Sequence, residues 1–183
     1  AYPISVSGGS DNNYNLLYVS GSLSISKATL TASANNASRL YGAVNPGLTI
    51  NYTGFLNGDN LSAIDIVPNA TTTAITTSPV GSYGITATGG TDNNYNFTYV
   101  PATLTISKAP LVATAQAATR PFGTANPTFV INYSGFLNGE TVAVLDVVPT
   151  TFTSANVASN VGNYTITVSG GSDNNYLISN VNA

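Results

Sequence analysis

Short runs of alternating apolar and polar residues, broken by Gly, Pro, Asn and Asp, occupy the whole chain. Period-2 alternation marks a strand with one face on a core. Leu48-Thr-Ile-Asn-Tyr52 and Tyr95-Asn-Phe-Thr-Tyr99 show it plainly, and no stretch has the spacing of an amphipathic helix. Arg39-Leu-Tyr-Gly-Ala-Val-Asn-Pro46 reads as a turn set by Gly and Asn-Pro, and Thr53-Gly-Phe-Leu-Asn-Gly58 as a tight turn around a buried aromatic. Ala63-Ile-Asp-Ile-Val67 reads as a short, more continuously apolar strand stopped by Pro68. Val80-Gly-Ser-Tyr-Gly-Ile-Thr-Ala87 has the form of a tyrosine corner. The pattern predicts an all-β sandwich of about seven short strands.

That pattern is copied. Ser22-Leu-Ser-Ile-Ser-Lys-Ala-Thr-Leu-Thr-Ala-Ser33 returns as Thr103-Leu-Thr-Ile-Ser-Lys-Ala-Pro-Leu-Val-Ala-Thr114, 81 residues later, and the match runs without a gap from Tyr2/Tyr83 to Tyr95/Tyr176. Residues 1–27 then read as the C-terminal strands of a preceding repeat, 28–107 as a complete repeat, and 108–183 as a second repeat lacking its final strand. Apolar parity switches at Lys27-Ala28 and again at Lys108-Ala109, which a period-2 strand does only by bulging or by passing into another sheet. These four residues are the expected domain junctions. No flexible linker intervenes, and Pro110 stiffens the second junction, so neighbours should be held semi-rigidly end to end.

Composition narrows the function. Charged residues are only 6% of the 183, against a usual share of about 25%, so Asn, Ser, Thr and Gly must carry the surface. Eleven Tyr and six Phe with 43% apolar residues argue for a packed fold rather than disorder. A net charge of −3 with four basic residues gives no footprint for nucleic acid or anionic membrane. Cys, His, Met and Trp are absent, which removes disulfides, thiolate metal sites and the usual acid/base. No apolar run approaches the roughly 20 residues of a membrane span. Ala1 opens without a signal peptide, so an export address is expected in a part of the precursor beyond this sequence.

Tyr41-Gly42-x-x-Asn45-Pro46, Tyr52-x-Gly54-Phe55-x-x-Gly58-Asp59, Val80-Gly-x-Tyr83, Gly89-Gly-x-x-x-Asn-Tyr95 and Leu104-Thr-Ile-Ser-Lys108 stand in fixed order. Together they resemble the MBG repeats of the YGX type, found in tandem in large secreted and surface-anchored bacterial proteins. The second copy carries Phe122, Gly123, Asn126, Pro127, Gly135, Phe136, Gly139, Tyr164 and Tyr176 at the matching places, with Phe122 for the first tyrosine and Glu140 for Asp59. The resemblance implies tandem immunoglobulin-like sandwiches, located extracellularly or at the cell surface, with a structural or adhesive role and no catalytic residues or cofactor.

Asp11, Asp92 and Asp173, each followed by two Asn, are calcium candidates, but one carboxylate per loop supplies little charge and a self-capping turn is the simpler reading. Asp59/Glu140 and Asp65/Asp146 recur without a His or an aromatic platform of the kind a glycosidase needs. Lys27 or Lys108 could form an isopeptide bond with an Asn, although a junction position argues against it. Asn-x-Ser/Thr triplets abound, for example at Asn36, Asn51 and Asn96, as they must in so Asn-, Ser- and Thr-rich a chain. Tyr14, Tyr18, Tyr95 and Tyr99 could stack sugars but at period 2 should face a core or a neighbouring domain.

A repeat without its last strand leaves an edge of unpaired backbone groups that invites another chain. Two expectations follow: the sequence is a window of a longer array, or the spare strand of one subunit completes the next. Expected partners are other copies or adjacent repeats, with extracellular polysaccharide or glycoprotein, as in a mucin-binding adhesin module, the alternative.

Overall fold

The computed structural model describes all 183 residues. Residues 1–27 contribute only a two-stranded ribbon, β1 (Tyr2–Ile4) and β2 (Gly21–Leu23), with all their side chains exposed. The first repeat follows as β3 (Ala28–Ala34), β4 (Ala37–Leu40), β5 (Ile50–Thr53), β6 (Asn69–Thr72), β7 (Gly81–Thr88), β8 (Tyr95–Val100) and β9 (Ala102–Ser107). The second supplies β10 (Ala109–Ala115), β11 (Ile131–Ser134), β12 (Thr150–Phe152), β13 (Thr167–Ser169) and β14 (Tyr176–Val181).

In the first repeat two sheets face one another, ordered β5-β3-β8 and β4-β9-β7-β6. Alternation dictates which residues meet between them: Leu30, Ala32 and Ala34 point inward from β3, Ile85 and Ala87 from β7, Leu104 and Ile106 from β9. Strand β9 lies in the middle of the larger sheet, parallel to β4 and antiparallel to β7. In the next repeat β10 pairs in parallel with β14 and antiparallel with β11. The parity switch at Lys108 is therefore a passage between sheets: the chain leaves the sheet of one repeat as β9 and enters that of the next as β10.

Three local expectations need correction. Arg39 and Leu40 belong to β4 rather than to a turn, because Ala37–Leu40 finds a partner in β9. Ala63–Val67 is not a strand: Leu61–Ala63 forms a 3-10 turn capped by Asn60, whose side chain accepts from the Ser62 N–H, and Ile66 makes only an isolated bridge with Thr91. Its one inward residue is Ile64. Tyr14–Val19, which stands 81 residues before β8, is not a strand, because the tail has no counterpart of β3 to pair with it.

The buried clusters cut across the repeat boundary. The largest unites Ala34, Tyr41, Ala74, Ile85, Leu104 and Ile106 of the first repeat with Ala109, Leu111, Leu145 and Tyr176 of the second. At the far side of the first repeat, Leu30, Ile64 and Tyr95 form a separate small cluster. Each of these three stands 81 residues before Leu111, Leu145 and Tyr176. Ala113, Ala115, Ile166 and Val168 form another at the far side of the second. A complete core is thus assembled at the junction, from the end of one repeat and the start of the next.

Candidate functional site at the junction between repeats

Tyr41 follows β4 directly, and its main-chain N–H donates to Ser107 O at 2.8 Å, so the turn that carries it is tied to the closing strand. The ring crosses the boundary and meets Tyr176 edge to face at 5.6 Å, while Phe136 meets Tyr176 from another side at 5.5 Å. Both phenols donate to one carboxylate: Tyr41 to Glu140 Oε1 at 2.6 Å and Tyr176 to Glu140 Oε2. The Leu137 N–H in turn donates to Tyr176 Oη at 2.9 Å. Hydrogen bonds to a charged partner contribute about 1.5–3 kcal/mol each, and T-shaped aromatic pairs about 0.5–1.5 more. The Glu140 bond, with burial, pushes the Tyr41 phenol above its ordinary value. Burial, then the Glu140 bond, pushes Tyr176 up to about 12.

Backbone geometry serves this contact. Gly42 has φ +74°, and a Cβ there would lie 2.6 Å from a methyl of Leu137, so the loop approaches the next repeat as only glycine allows. Gly54 has φ +108°, and its Cβ would lie 2.7 Å from Thr29 O; Gly135 repeats both features against Pro110 O. Gly58 and Gly139 follow Asn57 and Asn138, all with positive φ, forming the turn that brings Asp59 or Glu140 to its tyrosine. Val80 N–H donates to Asn175 Oδ1 at 3.0 Å, a second polar tie across the boundary.

The turn residues shared by the two repeats bond within each repeat. Arg39 Nε donates to Asn45 Oδ1 and Asn45 Nδ2 to Ala74 O; Arg120, Asn126 and Ala155 repeat the arrangement, with Pro46 and Pro127 next in chain. Tyr83 Oη donates to Pro79 O and Tyr164 Oη to Asn160 O, four residues upstream, as a tyrosine corner does. The Asp92 carboxylate accepts from the Asn94 and Tyr95 amides at 2.7 and 2.9 Å, and Asp173 from Asn175 and Tyr176. Asp11 does the same with Asn13 and Tyr14. The Asn94 amide first, and the Tyr95 and Asp65 amides with it, hold the Asp92 carboxyl below its usual range. No group of three or more Asp, Glu, His or Cys gathers around these loops. Lys27 and Lys108 point back to them, Nζ donating to the main-chain oxygens of Asp92 and Asp173. The carboxylates of Asp59 and Asp65 are occupied too, by Tyr95 Oη and the Asn93 N–H.

Sequence reasoning placed the junction at Lys27, Ala28, Lys108 and Ala109 but missed Glu140, Leu137 and Asn175 as its contacts. A signal existed: the acid at 59 and 140 recurs in step with the tyrosine at 95 and 176. That Tyr41 completes the set from the neighbouring repeat required the fold.

A groove of about 450 Å³ separates residues 117–122 from 161–166, at the place β9 fills in the first repeat, and Phe122 stands beside it 66% exposed where Tyr41 is 3% exposed. A smaller cavity of about 260 Å³ lies by Leu56, Asp59, Asn94 and Tyr95, the residues that correspond to Leu137, Glu140, Asn175 and Tyr176.

These features define a tandem array of all-β modules whose shared sites are structural. Comparison with family models then names the module: the MBG domain (YGX type) matches residues 30–105 and 111–183, and the chain belongs to that family. Repeats of this kind typically occur in surface proteins. Neither a curated protein nor a solved structure matches the chain. No helix is long and apolar enough to cross a membrane.

Proposed function

We propose that the chain is a non-enzymatic structural segment of a bacterial extracellular filament or adhesin stalk. Its repeats are joined end to end, the closing strand of one passing directly into the opening strand of the next. The observation that carries this reading is the junction itself, where Tyr41 bonds Glu140 and packs on Tyr176 across a boundary that the chain crosses without a linker. Packed side chains on both sides of a covalent crossover resist bending, which is what a load-carrying rod requires. The neutral, amide- and hydroxyl-rich surface suits lateral packing or hydration outside the cell.

Residual dipolar couplings test it. Both repeats are expected to fit one alignment tensor; two independent tensors would remove the rod. In intact fibres, a rise of roughly 35–45 Å per repeat is expected from stacked sheets of 5–6-residue strands.

A further inference from the structure

We propose that Asn138-Gly139 is a site of spontaneous covalent modification gated by the junction: its asparagine closes on its own main chain to a succinimide and opens to aspartate or isoaspartate, and the change loosens the contact between Tyr41 and Glu140. It depends on that contact and not on the use to which the array is put.

The dipeptide stands between two residues that reach the neighbouring repeat. Leu137, before it, has a methyl that a Cβ on Gly42 would approach to 2.6 Å, and Glu140, after it, accepts from the Tyr41 phenol. The four residues form one turn, closed by the Glu140 N–H donating to Leu137 O at 2.9 Å, with φ +54° at Asn138 and +76° at Gly139. Asn-Gly is the pair best suited to two successive positive φ values, so the turn demands the very dipeptide most open to this chemistry. Asn57-Gly58 repeats it in the first repeat, closed by the Asp59 N–H donating to Leu56 O at 2.9 Å.

The reacting atoms are adjacent and open to water. Asn138 and Gly139 are both exposed, a Cβ on Gly139 would meet nothing within 4 Å, and the Gly139 N–H donates to no main-chain oxygen. Once hydroxide has taken that proton, the nitrogen attacks Asn138 Cγ. The new C–N bond closes a five-membered ring, and the Cγ–Nδ2 bond breaks, the leaving nitrogen taking a proton from water to depart as ammonia and return hydroxide. Glycine carries no side chain to hinder the attack. Water then adds to one of the two ring carbonyls: breaking the Cγ–N bond leaves aspartate, and breaking the bond from the main-chain carbonyl carbon leaves isoaspartate. Asparagine and water become acid and ammonia, with nothing oxidised or reduced.

Ring closure must rotate Asn138 out of its turn conformation, and the closed junction resists that, because Leu137 and Glu140 are both held against the neighbouring repeat. Local opening of the junction therefore comes first. After reaction, isoaspartate carries the main chain through its side chain. That adds one carbon between Leu137 and Glu140 and displaces the carboxylate that Tyr41 and Tyr176 share. Either product also places a new negative charge two residues from Glu140. Opening exposes the site and reaction impedes reclosure, so the junction keeps a record of having opened.

Peptide mass spectrometry on the folded full chain, incubated at mildly alkaline pH, tests it, with isoaspartate scored by an isoaspartyl methyltransferase. Position 138 should gain acid in both forms, at a rate that rises with pH as removal of the amide proton requires. Tyr41→Phe, which keeps the ring and loses only the bond to Glu140, should speed the conversion about tenfold and leave the rate at Asn57 unchanged. In an Asn57→Gly background, aged protein should unfold at a lower denaturant midpoint than fresh protein. Adding Asn138→Gly, which keeps the turn and has no carboxamide, should make the midpoint indifferent to ageing. An amide at 138 that survives as long as those of Asn60 and Asn163, which precede bulky residues, overturns the site. A rate at 138 indifferent to Tyr41→Phe overturns the gating, and isoaspartate at 138 with an unchanged midpoint overturns the loosening. Dipolar couplings of the fresh chain are untouched by any of these outcomes, so the rigid rod stands or falls separately.

Discussion

Ile106 is 1% exposed and Ile25 is 70% exposed, although they occupy the same place in copies of the same strand. Tyr41 and Phe122 differ in the same way, one locked between repeats and the other facing solvent. The flanks tell a parallel story. Gly81–Thr88 is an eight-residue strand where β9 lies beside it, yet in the second repeat only Thr167–Ser169 is extended, and residues 118–121 form no strand at all. Sequence sets the alternation and the turns; the presence of the neighbouring strand decides whether the ladder forms. Backbone groups need partners, and in this array the partner of one repeat is delivered by the chain on its way to the next.

The comparison can be broken most forcefully at the aromatic. Tyr41→Ala removes a buried ring and one bond to Glu140 and should cost about 3–5 kcal/mol, whereas Phe122→Ala in dilute protein should stay within about 0.5 kcal/mol. Urea denaturation of both variants checks this. Next comes the strand itself: Leu104→Ala should lose about 2–5 kcal/mol, against about 0.5 or less for Leu23→Ala, read as the shift in denaturation midpoint.

Glu140→Ala leaves two phenols without their acceptor and should cost about 1.5–3 kcal/mol. Asp59→Ala, which strips a single phenol in an open cavity, should cost visibly less in the same assay.

The smallest effect is alkaline. An unfolded tyrosine ionises near pH 10, and in the fold Tyr176 holds its proton to about 12, with Tyr41 shifted the same way. The stabilisation is fully present below pH 10 and is lost as pH rises toward 12, because the unfolded chain releases those protons first. Tyr176→Phe should flatten the decline of stability across that window.

Much of this was legible in the residues. The repeat, the all-β class, the sheet change at Lys108 and the tyrosine corners follow from alternation, self-similarity and turn chemistry, all of which are local. The misreadings had local causes as well: Ala63–Val67 is apolar enough for a strand, but a capped 3-10 turn satisfies its backbone, and Arg39–Leu40 looks like a turn because its partner β9 lies more than sixty residues away. The Tyr41–Glu140 bond lay out of reach for the same reason. It joins residues 99 positions apart across two repeats, so only the packing of one module on the next brings them together.

Amide hydrogen exchange on the dilute, monomeric chain tests the central claim most directly, because it reads two copies of one strand in one molecule. Thr103–Ser107 should exchange slowly, near the rate set by global unfolding, and Ser22–Ser26 as fast as a frayed ribbon. Equal protection of the two segments would contradict the account, since it would mean the strand is stable without the repeats it joins.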